Sequence, residues 1–216
     1  MAQRPYKPKP GRQIILIQCE GKRTEYIYLD DFCAHCGLRH DAAIDVNPGK
    51  GQNAVVTVET ALAKKKTEGT RGKHYDEAWC VLDVEHAGHA HTLTEAVALA
   101  AKHNVKLVLS NPSFEVWLLC HFGHVTKWLE NGDAAGAYLT ATYWKKHFDC
   151  DYDKADDRLY TRLAERVPIA VADARWLMGD LHAGRPCRDA NPSTEVYTLI
   201  EHLLPLPRPN PGTSEQ

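Results

Sequence analysis

The sequence predicts a three-layer α/β core with a central, mostly parallel sheet, followed by a helical C-terminal extension. Three observations predict it. Short apolar, β-branched runs alternate four times with longer segments of helical pattern. The connections between them are short, as parallel βαβ units require. Beyond residue 122 the pattern becomes mainly helical.

Residues 1–12 form a basic, Pro-rich arm carrying Arg4, Lys7, Lys9 and Arg12. The apolar run Gln13–Cys19 reads as a buried strand, closed by a turn at Glu20-Gly21-Lys22. Thr24 opens a helix to about Leu38, and Ala42–Val46 is a second strand before the loop Asn47-Pro-Gly-Lys-Gly51. Residues 53–67 form a second helix. Its end is basic, with five Lys and Arg against one Glu between Lys64 and Lys73. Glu77–Leu82 is a third strand running into Asp83-Val84-Glu85, Thr92–His103 is helical, and Val105–Leu109 is a fourth strand. The triplet Asn-Pro-Ser occurs at 111–113 and at 191–193, and both copies are expected to start helices, Asn capping and Pro in the first turn. The predicted division is an arm at 1–12, an α/β core at 13–122, a mainly helical part at 123–204 packed on the core, and a Pro-rich tail at 205–216. Helices are expected over 125–147, 155–180 and 193–204.

A chain of 216 residues suits one well-packed domain. Its 44% hydrophobic and 25% charged content excludes wholesale disorder. With 26 Lys and Arg against 28 Asp and Glu, the net charge of −2 excludes a globally basic nucleic-acid coat, so any polyanion must bind to local patches. No apolar run approaches the length of a membrane span, and the N-terminus lacks the apolar segment of a secretory signal. A cytoplasmic location is therefore expected, and the seven cysteines are expected as free thiols.

In an open parallel sheet, ligands bind beyond the carboxyl ends of the strands. Three predicted strands end on chemistry: Glu20 after the first, Asp83 and Glu85 after the third, Asn111 after the fourth. Residues i and i+2 of an extended segment point the same way, so Asp83 and Glu85 can share a focus with Glu20. Three oxygen donors suit Mg²⁺ or Mn²⁺, which accept carboxylate and water and leave positions for phosphate oxygens. Such an ion serves phosphodiester cleavage. Each acid also has a structural reading as a turn residue or helix cap. Glu115 sits in a helix apolar on nearly every face, where a carboxylate needs a cation, a metal or hydrogen-bond donors. It is a candidate acid/base or fourth carboxylate, with favourable placement in the first helical turn as the structural alternative. Glu25 is a weaker candidate for the same site. Lys22 is a candidate phosphate contact, and Lys64, Lys65 and Arg71 are candidates for a polyanion patch, as are Arg158, Arg162, Arg166 and Arg175. A solvated helix face explains the latter group equally well.

Glu20-Gly-Lys-Arg-Thr-Glu25, Tyr75-Asp-Glu-Ala-Trp-Cys-Val-Leu-Asp83 and Ser110-Asn-Pro-Ser-Phe-Glu-Val-Trp-Leu-Leu-Cys-His-Phe122 together resemble the RloB family. Asn191-Pro-Ser-Thr194 and Tyr152-Asp-Lys154 add to the resemblance, which covers about residues 13–204. It implies a Toprim-like core, a role in abortive infection or restriction-linked antiphage defence, and a neighbouring AAA- or ABC-type ATPase as partner. It also implies a Mg²⁺- or Mn²⁺-dependent nuclease acting on DNA or RNA, with Glu20, Asp83 and Glu85 as metal ligands, Glu115 nearby, and Asn111 and Lys22 in support. A homo-oligomer and a non-catalytic sensor of nucleic acid or of the ATPase are compatible alternatives. Asp83-Val-Glu85 departs by one methylene from the Asp-x-Asp of Toprim domains.

Two other chemistries compete. Cys33-Ala-His-Cys36 with His40 has the spacing of half a zinc site, and His86, His89 and His91 cluster. Cys33 and Cys36 also fall three apart on a helix, which favours core packing, and His121 reads as a hydrogen-bonded core residue. Cysteine nucleophile chemistry lacks any motif gathering Cys, His and Asp.

Overall fold

The computed structural model describes residues 13–38, 44–51, 53–84 and 90–205. Strands β1 (Ile15–Cys19), β2 (Ile44–Asn47), β3 (Glu77–Asp83) and β4 (Lys106–Asn111) run parallel, and the two-residue β5 (Ser193–Thr194) adds antiparallel to the edge, in the order β2-β1-β3-β4-β5. Helices α1 (Thr24–His35), α2 (Ala54–Thr70) and α3 (Ala90–Lys102) make the crossovers, and α4 (Glu115–Cys120) follows β4.

Every residue of β1 is buried, because both faces of this interior strand are covered. Its alternation separates two cores. Ile15, Ile17 and Cys19 join Trp79, Val81 and Val108 against α1 and α4. Leu16 joins Ala78, Cys80, Leu82 and Leu109 against α2 and α3. These are the three layers. The first core extends into the C-terminal half through Leu139, Trp144, Leu163, Ala170, Leu199 and Leu203. Those residues lie on α5 (Gly132–Leu139), which passes through a π-helical turn at Thr140–Trp144 into α6 (Lys145–Phe148), and on α7 (Leu159–Leu163), α8 (Val167–Trp176) and α9 (Val196–Leu203). Helix α4 is buried at all six positions, as its apolar pattern predicts. His121 is fully buried between Tyr28 Oη, 3.0 Å from Nε2, and Trp117 O, 2.9 Å from Nδ1. Burial lowers its pKa to about 3, so it serves as a neutral core histidine.

The Asn-Pro-Ser triplets correct the sequence expectation. Neither Asn caps a helix: the residues preceding α4 and α9 are Phe114 and Glu195. Instead the triplets meet each other. Ser110 and Asn111 pair antiparallel with Thr194 and Ser193, and the Ser110 and Thr194 hydroxyls lie 2.8 Å apart. Both Asn-Pro bonds are cis. Asn111 Nδ2 donates to the carbonyls of Cys187 and Arg188, each at 3.1 Å. Asn191 Nδ2 donates to Leu129 O at 2.7 Å, and its Oδ1 accepts from Leu129 N at 3.0 Å. Long-range pairing along the edge of β4 wins over local capping because it satisfies backbone groups that would otherwise be buried unpaired. The same pairing delays the last helix to Val196. The helix expected from residue 125 starts at Gly132, capped by the Asn131 side chain accepting from Ala134 N at 2.9 Å.

Glu195 completes the edge. Its amide donates to Leu109 O at 2.8 Å, and its carboxylate accepts from Leu109 N at 3.1 Å. Replacing it by Ala leaves the Leu109 amide without this acceptor, at an expected cost of about 1–3 kcal/mol. Denaturant unfolding of Glu195→Ala and Glu195→Gln checks this, since Gln retains an acceptor and should recover most of the loss.

Candidate functional site

The chain leaves β1 toward β2 on one side, and β3 and β4 lie on the other. The carboxyl ends of β1 and β3 therefore flank a topological switch point, the place where open α/β sheets bind ligands. Glu20 follows β1 directly, its amide extending the ladder to Val81 O at 3.2 Å, and Asp83 is the last residue of β3. The two acids are coupled: Glu20 Oε2 accepts from the Asp83 amide at 3.1 Å. Asp83 Oδ1 in turn accepts from the Phe114 amide at 2.9 Å, at the start of α4. One relay thus joins the ends of β1 and β3 to the helix that carries Glu115.

The loop after β2 holds this arrangement in place. Gly49 N donates to Gly21 O at 2.8 Å and Gly51 N to Glu20 O at 3.0 Å. A Cβ on Gly49 would lie 1.8 Å from Glu20 O, so only glycine allows the two loops to approach this closely.

Four carboxylates, Glu20, Glu25, Asp83 and Glu115, line one cavity of about 470 Å³, together with the cations Lys22, Arg23, Lys50 and Lys154. Glu115 is buried, as a helix apolar all round demands, and is supplied with donors. Ser113 Oγ donates to its Oε2 at 2.5 Å, Tyr152 Oη donates to its Oε1 at 3.1 Å, and Lys154 Nζ stands 3.8 Å from Oε1. Thr24 Oγ1, 3.2 Å from Tyr152 Oη, ties this wall to the start of α1. Glu25 Oε1 accepts from the Gly21 amide. Its pKa is raised, first by burial and then by the charge of Glu115, against the opposing pull of the amide and Lys154.

Of the residues singled out in the sequence, Glu20, Asp83, Glu115, Lys22 and Glu25 come together here. Glu85, His40, His86 and His89 lie outside the described residues. Asn111 is brought to the β4–β5 edge instead, since its amide is spent on the Cys187 and Arg188 carbonyls. Lys64, Lys65 and Arg71 do not line the cavity. Lys64 pairs with Asp45 at 3.2 Å and Arg71 with Glu68 at 3.0 Å. Among the C-terminal arginines, Arg158 and Arg162 face Asp156, at 3.7 and 2.7 Å, and Arg175 pairs with Glu201. Lys50, Lys154 and Tyr152 contribute more than their sequence signal suggests. A Gly-Lys-Gly loop after a strand is a weak indication for Lys50, and Tyr152-Asp-Lys154 is marked by the family resemblance alone, with no periodicity to place it at the site.

Cys33 and Cys36 are buried in the first core. Burial pushes the Cys80 thiol up to about 12 and the Cys19 thiol well above its usual value, opposite to the activation a nucleophile needs. Among the described residues, no three or more His, Cys, Asp and Glu are grouped to hold a metal ion. Glu20 and Asp83 therefore do not form a closed protein cage with a third acid. Two hard oxygen donors beside a cation-edged cavity fit an ion such as Mg²⁺, which takes one or two carboxylates and fills the rest with water and phosphate.

A family model described as RloB, RloB-like protein, matches residues 15–203. The chain belongs to the RloB-like family. The match spans both the α/β layers and the C-terminal helices, so the RloB-like unit includes Tyr152 and Lys154 as well as the strand-end acids. No curated protein and no solved structure matches this RloB-like chain. No helix among its described residues is long and apolar enough to cross a membrane.

Two outcomes are expected. Gly49→Ala should force the β2 loop away from Glu20 and destabilise the protein by about 1–3 kcal/mol, measured by denaturant unfolding. The raised pKa of Glu25 means that the folded state favours its neutral form. Its contribution to stability is complete at pH values below the ordinary carboxylate range and is lost as pH rises through the raised value. Glu25→Gln has no such loss, so the melting temperature of the variant relative to the parent should rise between pH 4 and pH 7.

Proposed function

We propose that this RloB-like chain is a Mg²⁺-dependent, Toprim-type nuclease of an antiphage, abortive-infection system. It hydrolyses phosphodiester bonds of DNA or RNA together with an AAA- or ABC-type ATPase. The observation that carries this reading is the Glu20–Asp83 couple at the switch point, opening on a cavity edged by Lys22, Lys50 and Lys154. Acids and cations lining one cavity match a substrate that brings phosphate oxygens and a metal together.

Glu20 and Asp83 would hold Mg²⁺, which when bound supplies charge neutralisation and activation of water. Lys22 and Lys50, both exposed, meet the non-bridging phosphate oxygens. Lys154 sits between Glu115 and Asp133, at 3.8 and 3.2 Å, and so keeps its charge at the rim beside the acids. Ser113 and Tyr152 orient the Glu115 carboxylate. Burial and then the charge of Glu115 raise the Glu25 pKa, while its Oε1 accepts from the Gly21 amide. A carboxyl group so poised is suited to donate to a leaving oxygen.

One observation favours a second reading. No third described side chain joins Glu20 and Asp83 as a metal group, and recognition of Mg²⁺–phosphate without cleavage needs no more than two. In this reading the chain is a sensor or regulatory subunit that binds nucleic acid or the ATPase.

Asp83→Asn separates the two. Asn keeps an oxygen for the Phe114 amide, so the melting temperature should stay near the parent's. Loss of the metal-ligating charge should lower Mg²⁺-dependent degradation of DNA or RNA at least about 100-fold, as several kcal/mol of charge stabilisation implies. Glu20→Gln should do the same. Degradation by neither parent nor variants, with and without the ATPase, supports the sensor.

A further inference from the structure

We infer that the uncharged lobe of the cavity, between the starts of α2 and α3, receives the base of one unpaired nucleotide whose phosphate lies at Glu20 and Asp83. The inference rests on the nuclease reading and deepens it, since it names the form of nucleic acid that the site accepts.

The cavity straddles the end of the sheet. Side chains alternate along β3, so Val81 joins the core under α1 and α4 while Leu82 joins the core under α2 and α3. The alternation continues past the strand. Asp83 turns toward α4 and accepts from the Phe114 amide. Val84, held in line by its amide donating to Ser110 O at 2.9 Å, packs against the second core. The cavity lining divides in the same way. The side of α1 and α4 supplies Lys22, Arg23, Glu25 and Glu115, with Lys154 beside them. The other side supplies Asn53 and Ala54 at the start of α2, Thr92 and Leu93 in the first turn of α3, and Val84. None of these five is charged. Ala54 and Leu93 are buried and belong to the second core, Val84 and Thr92 are partly buried, and Asn53 is exposed. Asn53 is also fixed: its Oδ1 accepts from Val56 N at 3.0 Å and caps α2, which leaves Nδ2 as the donor.

The two lobes select an occupant that is charged at one end and uncharged at the other. Four carboxylates and four cations line the cavity, so net charge by itself draws in no anion. A divalent ion on Glu20 and Asp83 tips that balance toward phosphate. The neighbouring lobe is an apolar recess with one amide donor at its edge, which suits a flat ring bearing carbonyl or ring-nitrogen acceptors. A nucleotide carries both groups on one sugar. The cavity, at about 470 Å³, has the size of a small-molecule site and admits no double helix. A base in a duplex would have to unpair and unstack to enter, whereas an unpaired base enters without that cost.

The test is calorimetric titration of the full chain with ribonucleoside and deoxyribonucleoside 5′-monophosphates and with ribose 5-phosphate, in Mg²⁺ and in EDTA. These probes are monoesters, so phosphodiester cleavage plays no part. In Mg²⁺ the best nucleotide should bind about tenfold or more tighter than ribose 5-phosphate, and EDTA should abolish its binding. Ala54→Leu, which fills the lobe, should bring the nucleotides down to the ribose 5-phosphate affinity. Asn53→Ser keeps a capping oxygen for α2 but lacks the amide, and should level the differences among bases. If Ala54→Leu fails to fold, Asn53→Ser decides. Equal affinity for nucleotides and ribose 5-phosphate overturns the subsite, as does a base preference that survives the substitutions. Nucleotide binding unchanged by EDTA overturns the placement of the phosphate. Base-dependent binding by a chain that degrades neither DNA nor RNA refutes the nuclease reading alone. Metal-dependent degradation without any base contribution to binding refutes the subsite alone.

Discussion

The hydrogen bond from the Asp83 amide to the Glu20 carboxylate, 3.1 Å long, is the point on which the candidate site depends. It exists because β1 and β3 are neighbours in register, Cys19 opposite Val81, although three elements separate them in sequence. A shift of one residue in that register would send every side chain of β1 to the other face. With both cores lined by alternate residues of β1, such a shift is strongly opposed. Burial of Ile15, Leu16 and Ile17 thus decides where two acids meet.

From that bond the rest of the wall follows. Asp83 receives the Phe114 amide and so positions the start of α4. Helix α4 carries Glu115 into a buried setting that a lone carboxylate would not tolerate. The C-terminal half supplies what is missing, through Tyr152 and Lys154. The helical extension is therefore part of the site as well as a cover for one face of the sheet. Burial, and then the charge of Glu115, raise the Glu25 pKa, and perturbed acids of this kind are a recurrent mark of functional clefts.

At the other edge of the sheet, the two Asn-Pro-Ser segments serve architecture. Local capping chemistry explains why Asn, Pro and Ser cluster at helix starts. It is outweighed here by backbone pairing between β4 and β5, and by Asn side chains that satisfy loop carbonyls 62 to 77 residues away. Identical triplets have come together in space, and the reason lies in the edge strand they close.

The sequence by itself determined the layered α/β fold, the four parallel strands and the acids at their carboxyl ends. Those features depend on periodicity and on local residue type, which a linear reading can follow: Ile15–Cys19 alternates between two cores, and Glu20 and Asp83 fall just where strands stop. The helical half was legible as helix, but its starts at Gly132 and Val196 were not, because a distant cap and a distant strand set them. Only the tertiary structure decided which cations face the acids. Lys64 and Arg71, conspicuous in a basic run, are neutralised by Asp45 and Glu68, while Lys154 arrives at Glu115 from 39 residues further along the chain. Likewise the contacts of the Phe122 ring with Tyr143 and with Arg166 join separate segments of the chain. Charge pairing and ring stacking act over a few ångströms of space, and distance along the chain says little about either.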